Sequence, residues 1–187
     1  MKIIYTASII VLLVLTACDT GENMNKTVVF ETNKGNIEIQ LDYDNAPITV
    51  ENFLKYVEEG HYDGLVFHRV IKGFMIQGGG FTPDGTQRKT NPPIKLESDN
   101  GLKNEIGTVS MARTSVPDSA TSQFFINTKN NDFLNKGFRD DGYAVFGKVV
   151  SGMDVVRNIE NVQTTYKNGM PDWPAQDIII TKAYVKK

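Results

Sequence analysis

Residues 67–80, FHRVIKGFMIQGGG, restrict the fold of this 187-residue chain more than any other stretch, because they set one arginine among apolar side chains and close on three glycines. Residues 66–70 and 74–77 are rich in β-branched and aromatic side chains, and Lys72-Gly73 interrupts them. The pattern predicts two short strands around a bend. Arg69 falls in the middle of the first. An unpaired buried charge is very costly, so a guanidinium in so apolar a strand is expected to line a concave surface rather than lie in a core. Gly78, Gly79 and Gly80 leave the backbone bare after Gln77, which predicts a bulge or the close approach of another segment.

The rest of the chain reads as support for that stretch. Residues 27–31 are strand-like, Asn33-Lys34-Gly35-Asn36 is a turn, and Ile37, Ile39 and Leu41 alternate with polar residues, which predicts a hairpin with one dry face. Over 47–59 the period changes: Val50, Phe53, Leu54 and Val57 fall on one helical face, with Pro47 in the first turn and Gly60 just past the end. Residues 81–93 contain Pro83-Asp84-Gly85 and a basic, proline-rich run, and read as exposed loop. Residues 106–111, 123–127 and 144–149 are three more strands. Ser151 with Asp154 resembles a capping box opening a short helix through Ile159, Gly169-Met170-Pro171 ends the loop after it, and 177–185 supply a last strand. Many short strands with two helices predict an all-β barrel or sandwich.

Lys2 precedes an apolar run over residues 3–15, followed by Thr16-Ala17-Cys18. The run is shorter than the ~20 residues of a membrane-spanning helix, and its basic start and small-residue end fit a secretory signal. Leu15-Thr16-Ala17-Cys18 resembles a bacterial lipobox, which implies cleavage after residue 17, lipidation of Cys18 and a membrane anchor through it; more than one acyl chain anchors stably where one does not. Cys18 is the only cysteine, so a lipidated chain has neither a disulfide nor a thiol nucleophile. Residues 18–26 are then lipidated cysteine and polar tether, and 27–187 one domain of ordinary size. With a formal net charge of −2, nothing points to nucleic acid. The expected location is the cell envelope. Asp19 resembles the retention signal that would hold the chain at the periplasmic face of the inner membrane in a two-membrane host.

Three blocks carry a family resemblance: FHRVIKGFMIQGG, then SMARTSVPDSATSQFFI over residues 110–126, then YAVFGKV over 143–149. In this order they are similar to the signatures of the cyclophilins, the peptidyl-prolyl cis-trans isomerases, and the similarity spans residues 26–187. It implies a closed eight-stranded antiparallel barrel with a helix over each end, acting as a monomer on proline-containing polypeptides and needing neither metal nor organic cofactor. By position it makes Arg69 the catalytic donor, with Gln77 holding the arginine and the substrate carbonyl. Phe74, Met75, Phe125 and Leu134 would line the proline pocket, and Ala112, Arg113 and Gln123 the groove for preceding residues. Phe133 stands where the best-known eukaryotic members have tryptophan and Tyr143 where they have histidine, departures that bear on cyclosporin affinity more than on catalysis. Arg113, where many relatives have asparagine, is expected to alter the charge beside the groove.

Other chemistries fit the residues poorly. Without the resemblance, Phe74, Met75, Phe125 and Phe133 read as ordinary core. His61 and His68, with no cysteine nearby, make a poor metal site, Gly78-Gly79-Gly80 lacks the Lys-Ser/Thr of a phosphate loop, and no Gly-x-Ser-x-Gly elbow is present. Trp173 reads as packing. The competing function is a non-catalytic module that binds a proline-containing segment as a chaperone or assembly factor.

Overall fold

Alternating residues near the start of the domain form the predicted hairpin: β1 (Thr27–Thr32) pairs antiparallel with β2 (Gly35–Leu41), with Thr32 opposite Gly35 across an Asn33-Lys34 turn. The structure, a computed structural model, describes residues 26–187; the expected signal peptide, Cys18 and all but the last residue of the expected tether lie outside the described residues. Val28, Phe30, Ile37, Ile39 and Leu41 are buried, so the dry face of the hairpin is part of the core. Helix α1 (Pro47–Glu58) buries the four predicted apolar residues. Its cap comes from far away. The Glu97 carboxylate accepts the Ile48 and Thr49 amides at 3.1 and 2.8 Å, satisfying donors that every helix start leaves free.

The remaining elements are β3 (Phe67–Ile71), β4 (Met75–Gly78), β5 (Thr108–Met111), β6 (Phe124–Asn127), β7 (Val145–Ser151), α2 (Met153–Glu160), β8 (Thr164–Lys167), β9 (Met170–Pro174) and β10 (Ile180–Val185). Eight of the strands form one antiparallel sheet in the order β10-β1-β2-β7-β5-β6-β4-β3, and β8 pairs with β9. Phe30, Phe53, Tyr62, Phe124 and Phe146 meet inside it, with ring centroids 4.9–6.0 Å apart in the contacting pairs.

Three expectations need correction. The sheet is an open half-barrel rather than a closed barrel: its edge strands β3 and β10 share no ladder and are joined by an isolated bridge between Val66 and Ile179. The physical reason is that β9 lies alongside β3, so β10 reaches only the approach to that strand, where Gly64 N–H donates to Ile180 O and Ile180 N–H to Leu65 O, each at 2.8 Å. Ser151 does not cap α2. It ends β7, and the cap is Gly152 at φ 85°, where a Cβ would run into the Asn36 carbonyl, so only glycine fits. The loop expected before the last strand contains the β8–β9 hairpin, turned by Asn168-Gly169, both at positive φ as a two-residue type I′ turn requires.

Candidate functional site

A β-bulge creates the site. In a regular strand Phe67, Arg69 and Ile71 would share one face. Here Phe67 pairs with Gly78 and Arg69 with the next residue, Gln77, so His68 is the extra residue and the alternation changes phase across it. Phe67 and Val70 therefore point into the core, while Arg69 and Ile71 emerge outside. The register then continues across the sheet from Arg69 to Gln77, Phe125 and Ser110 on β3, β4, β6 and β5. Directly opposed residues of antiparallel strands share a face, so cation, amide and aromatic ring stand side by side.

Those residues border a groove of about 610 Å³. All eleven residues predicted to act or bind line it: Arg69, Phe74, Met75, Gln77, Ala112, Arg113, Gln123, Phe125, Phe133, Leu134 and Tyr143. Met75, Phe125 and Leu134 form a buried apolar cluster separate from the core, with Phe74, Ala112 and Tyr143 packed against it. Phe133 stacks on Phe74 at 5.6 Å and Tyr143 meets Phe125 edge-on at 5.6 Å. The Arg69 side chain is 42% exposed, as a cation on a concave surface should be.

Two of the three glycines shape this wall of the groove. A Cβ on Gly80 would lie 2.7 Å from the Gln123 side chain, so its absence lets Gln123 reach the groove. Gln123 Oε1 then accepts Gln77 Nε2 at 2.9 Å. Gly79, at φ 84°, packs against Ser122 O and Tyr62, and its carbonyl accepts Ser122 Oγ at 2.8 Å. The partner of Gln77 is thus Gln123, and that of Arg69 is Asp172, whose Oδ2 lies 3.9 Å from Nε.

Arg113 differs from its sequence reading. Its guanidinium side chain is only 3% exposed: Nε donates to Gly142 O, Nη1 to Thr114 O and Nη2 to Asp140 Oδ1, and it lies 4.6 Å from the Tyr143 ring centre. Instead of adding free charge beside the groove, it fastens the segment that carries Leu134 and Tyr143. The Gly142 amide, ahead of the Arg113 and Arg139 charges, holds the Asp140 carboxyl below the ordinary range.

The groove also includes His68, Phe81, Arg139, Met170 and Pro171, which the sequence reading passed over. Asn168-Gly169 is the signal for the β9 pair, since a two-residue I′ turn brings Met170 back beside the sheet. His68 packs between Phe81 and Trp173, and His61 between Tyr56 and Tyr62, so the two histidines occupy separate aromatic settings. Burial pushes His68 down to about 4, and the Arg69 charge acts in the same direction. Trp173 is fully buried, as read, with Nε1 donating to Asp177 at 2.8 Å.

The family described as cyclophilin type peptidyl-prolyl cis-trans isomerase/CLD matches residues 27–185. The chain is 51% identical over 183 residues to peptidyl-prolyl cis-trans isomerase A of Dickeya dadantii (strain 3937), covering 97% of this chain and 96% of that protein. It is 52% identical over 163 residues to peptidyl-prolyl cis-trans isomerase B of Escherichia coli (strain K12), covering 86% and 99% respectively. Among solved structures, a Cryptosporidium parvum cyclophilin type peptidyl-prolyl cis-trans isomerase, crystallised in the presence of the dipeptide Ala-Pro, superposes with a TM-score of 0.75 at 30% identity. The match covers 87% of this chain and 99% of that one.

Proposed function

The chain belongs to the cyclophilin-type peptidyl-prolyl cis-trans isomerases, and from that premise we propose that its groove accelerates rotation about X-Pro bonds in polypeptides. Uncatalysed rotation faces a barrier of about 18–20 kcal/mol and takes tens to hundreds of seconds. No covalent bond need break. In the twisted amide conjugation is lost and the proline nitrogen becomes basic, so a fixed donor aimed at that nitrogen stabilises the transition state over both planar forms. Arg69 is that donor, protonated at any working pH. Met75, Phe125 and Leu134, with Phe74 at the rim, hold the proline ring against it. Gln77 and Gln123 hold the adjacent carbonyl, and the Ala112-Arg113 backbone runs beside the residues before proline.

The observation that carries this reading is the Arg69–Gln77–Phe125 row, which sets an exposed guanidinium beside a dry apolar pocket. A paired assay on residues 19–187 with an X-Pro peptide tests it. Arg69→Ala should keep peptide binding and lose at least about 100-fold in rate, a loss of about 2.7 kcal/mol of transition-state stabilisation. A wild type that binds peptide without accelerating exchange would establish the binding-module alternative.

The same reading extends to location. The leader and Leu15-Thr16-Ala17-Cys18 support export and lipidation of Cys18, and clients that are exported or membrane-adjacent polypeptides. The tether enters at β1, next to one edge of the sheet, while the groove is built on β3, β4 and β6 toward the other. Eight tether residues reach at most about 25–30 Å, so the domain works close to the membrane. Palmitate incorporation in cells, abolished by Cys18→Ser, is the expected result.

A further inference from the structure

Arg69 faces a carboxylate from outside the groove lining. Among the described residues, its ionic partner is Asp172 of β9, with Oδ2 3.9 Å from Nε. Asp172 is not part of the groove wall, although its chain neighbours Met170 and Pro171 are. It is also one of two non-glycine residues among those described with positive φ, at 61°. The other, Asn168, is explained by the Asn-Gly turn. Asp172 lies at a β-bulge of β9, where Thr165 pairs with Trp173 but Lys167 with Met170, so its left-handed conformation is the local kink that redirects the side chain. The next residue anchors the bulge: Trp173 is buried, donates to Asp177, and packs against the rings of Phe81 and of His68, the chain neighbour of Arg69.

We infer that Asp172 is a positioning residue for Arg69: its carboxylate restrains the guanidinium through Nε and leaves both terminal amino groups to the substrate. The inference rests on the reading of Arg69 as the donor. A long, half-exposed arginine otherwise samples several rotamers, and misplacement of a catalytic group costs rate without any loss of pocket. A carboxylate inside the groove would compete for the same donors. One that meets Nε biases the fork electrostatically without occupying its working end.

The test uses residues 19–187 carrying Asp172→Asn, Asp172→Gly or Asp172→Glu. Asparagine and glycine both tolerate the left-handed backbone, so neither variant should unfold. In both, kcat/KM should fall about five-fold with peptide affinity held within about two-fold, and Asp172→Glu should recover part of the loss. The Arg69 Nε–Hε resonance, assigned by its disappearance in Arg69→Lys, should shift and exchange faster in the Asn and Gly variants. The wild-type rate should fall toward theirs between about 0.01 and 1 M salt, as the Debye length shrinks from about 30 to 3 Å, while the variants stay flat. An Arg69 Nε–Hε signal unchanged in Asp172→Asn, or a wild-type rate in Asp172→Gly, would overturn the inference. Failure of the wild type to accelerate exchange would instead sink the isomerase reading, and the resonance would still report whether Asp172 holds Arg69.

Discussion

Phe124 and Phe125 are consecutive residues of β6 that serve two different apolar regions. Phe124 points inward and meets Phe30, Phe53, Tyr62 and Phe67 with centroids 5.2–5.9 Å away. Phe125 points outward to Met75 and Leu134, with Tyr143 as its ring neighbour. Both are nearly inaccessible, yet the inner ring is enclosed on every side and the outer one lines a groove. Burial alone therefore does not separate core aromatics from groove aromatics. What separates them is the face of the sheet, and the face is set by register.

Truncating each ring is the strongest way to break that comparison. Phe124→Ala should cost about 3–5 kcal/mol, because the enclosed cavity cannot refill. Phe125→Ala should cost only about 2 kcal/mol, since water can enter the groove, yet lower kcat/KM at least about 10-fold by removing apolar surface that grips the proline ring. Urea denaturation and peptide isomerisation on the same two samples decide it. Equal stability losses with equal activity would erase the distinction.

His68, at the bulge between the faces, gives the next largest effect. Its folded value of about 4 lies below the ordinary 6.5, so the unfolded chain binds more protons between these limits and stability rises with pH across them. The stability is fully present above about pH 6.5 and is lost as pH falls toward 4, in total on the order of 3 kcal/mol. Burial lowers His61 as well, adding to the same slope. Midpoints of urea unfolding at stepped pH should follow this curve, and His68→Phe should remove the larger part of the slope while leaving the fall at lower pH, where carboxylates such as Asp84 and Asp99 protonate.

The sequence was most readable where a single period runs undisturbed. Ile37, Ile39 and Leu41, or Val50, Phe53, Leu54 and Val57, declare their faces by spacing alone, and both elements appear as read. The eleven groove residues were legible through the resemblance, position by position. The bulge at His68 was not, because a phase change leaves the residue types intact and alters only which side each occupies. The β8–β9 hairpin escaped because Thr164, Thr165 and Tyr166 are all exposed and carry no apolar alternation, leaving Asn168-Gly169 as its one local signal. The burial of Arg113 depends on Asp140 and Gly142, nearly thirty residues away, and no local pattern announces such a partner.

That last contact supplies the finest test of the two-face comparison, because it concerns the groove wall alone. Arg113→Ala removes three hydrogen bonds and a ring contact at once and should cost about 2 kcal/mol. Asp140→Asn is milder. Asparagine Oδ1 can still accept the Gly142 amide, so the change removes charge from a partly exposed partner, worth up to about 1 kcal/mol. Because the segment carrying Leu134 and Tyr143 is fastened through Arg113, the effect should appear there and not in the core. Amide exchange should rise over residues 134–143 with no change at Phe30, Phe53 or Phe124, and peptide affinity should drop about two- to three-fold. Faster exchange at those core positions would instead mean that groove wall and core form one cooperative unit.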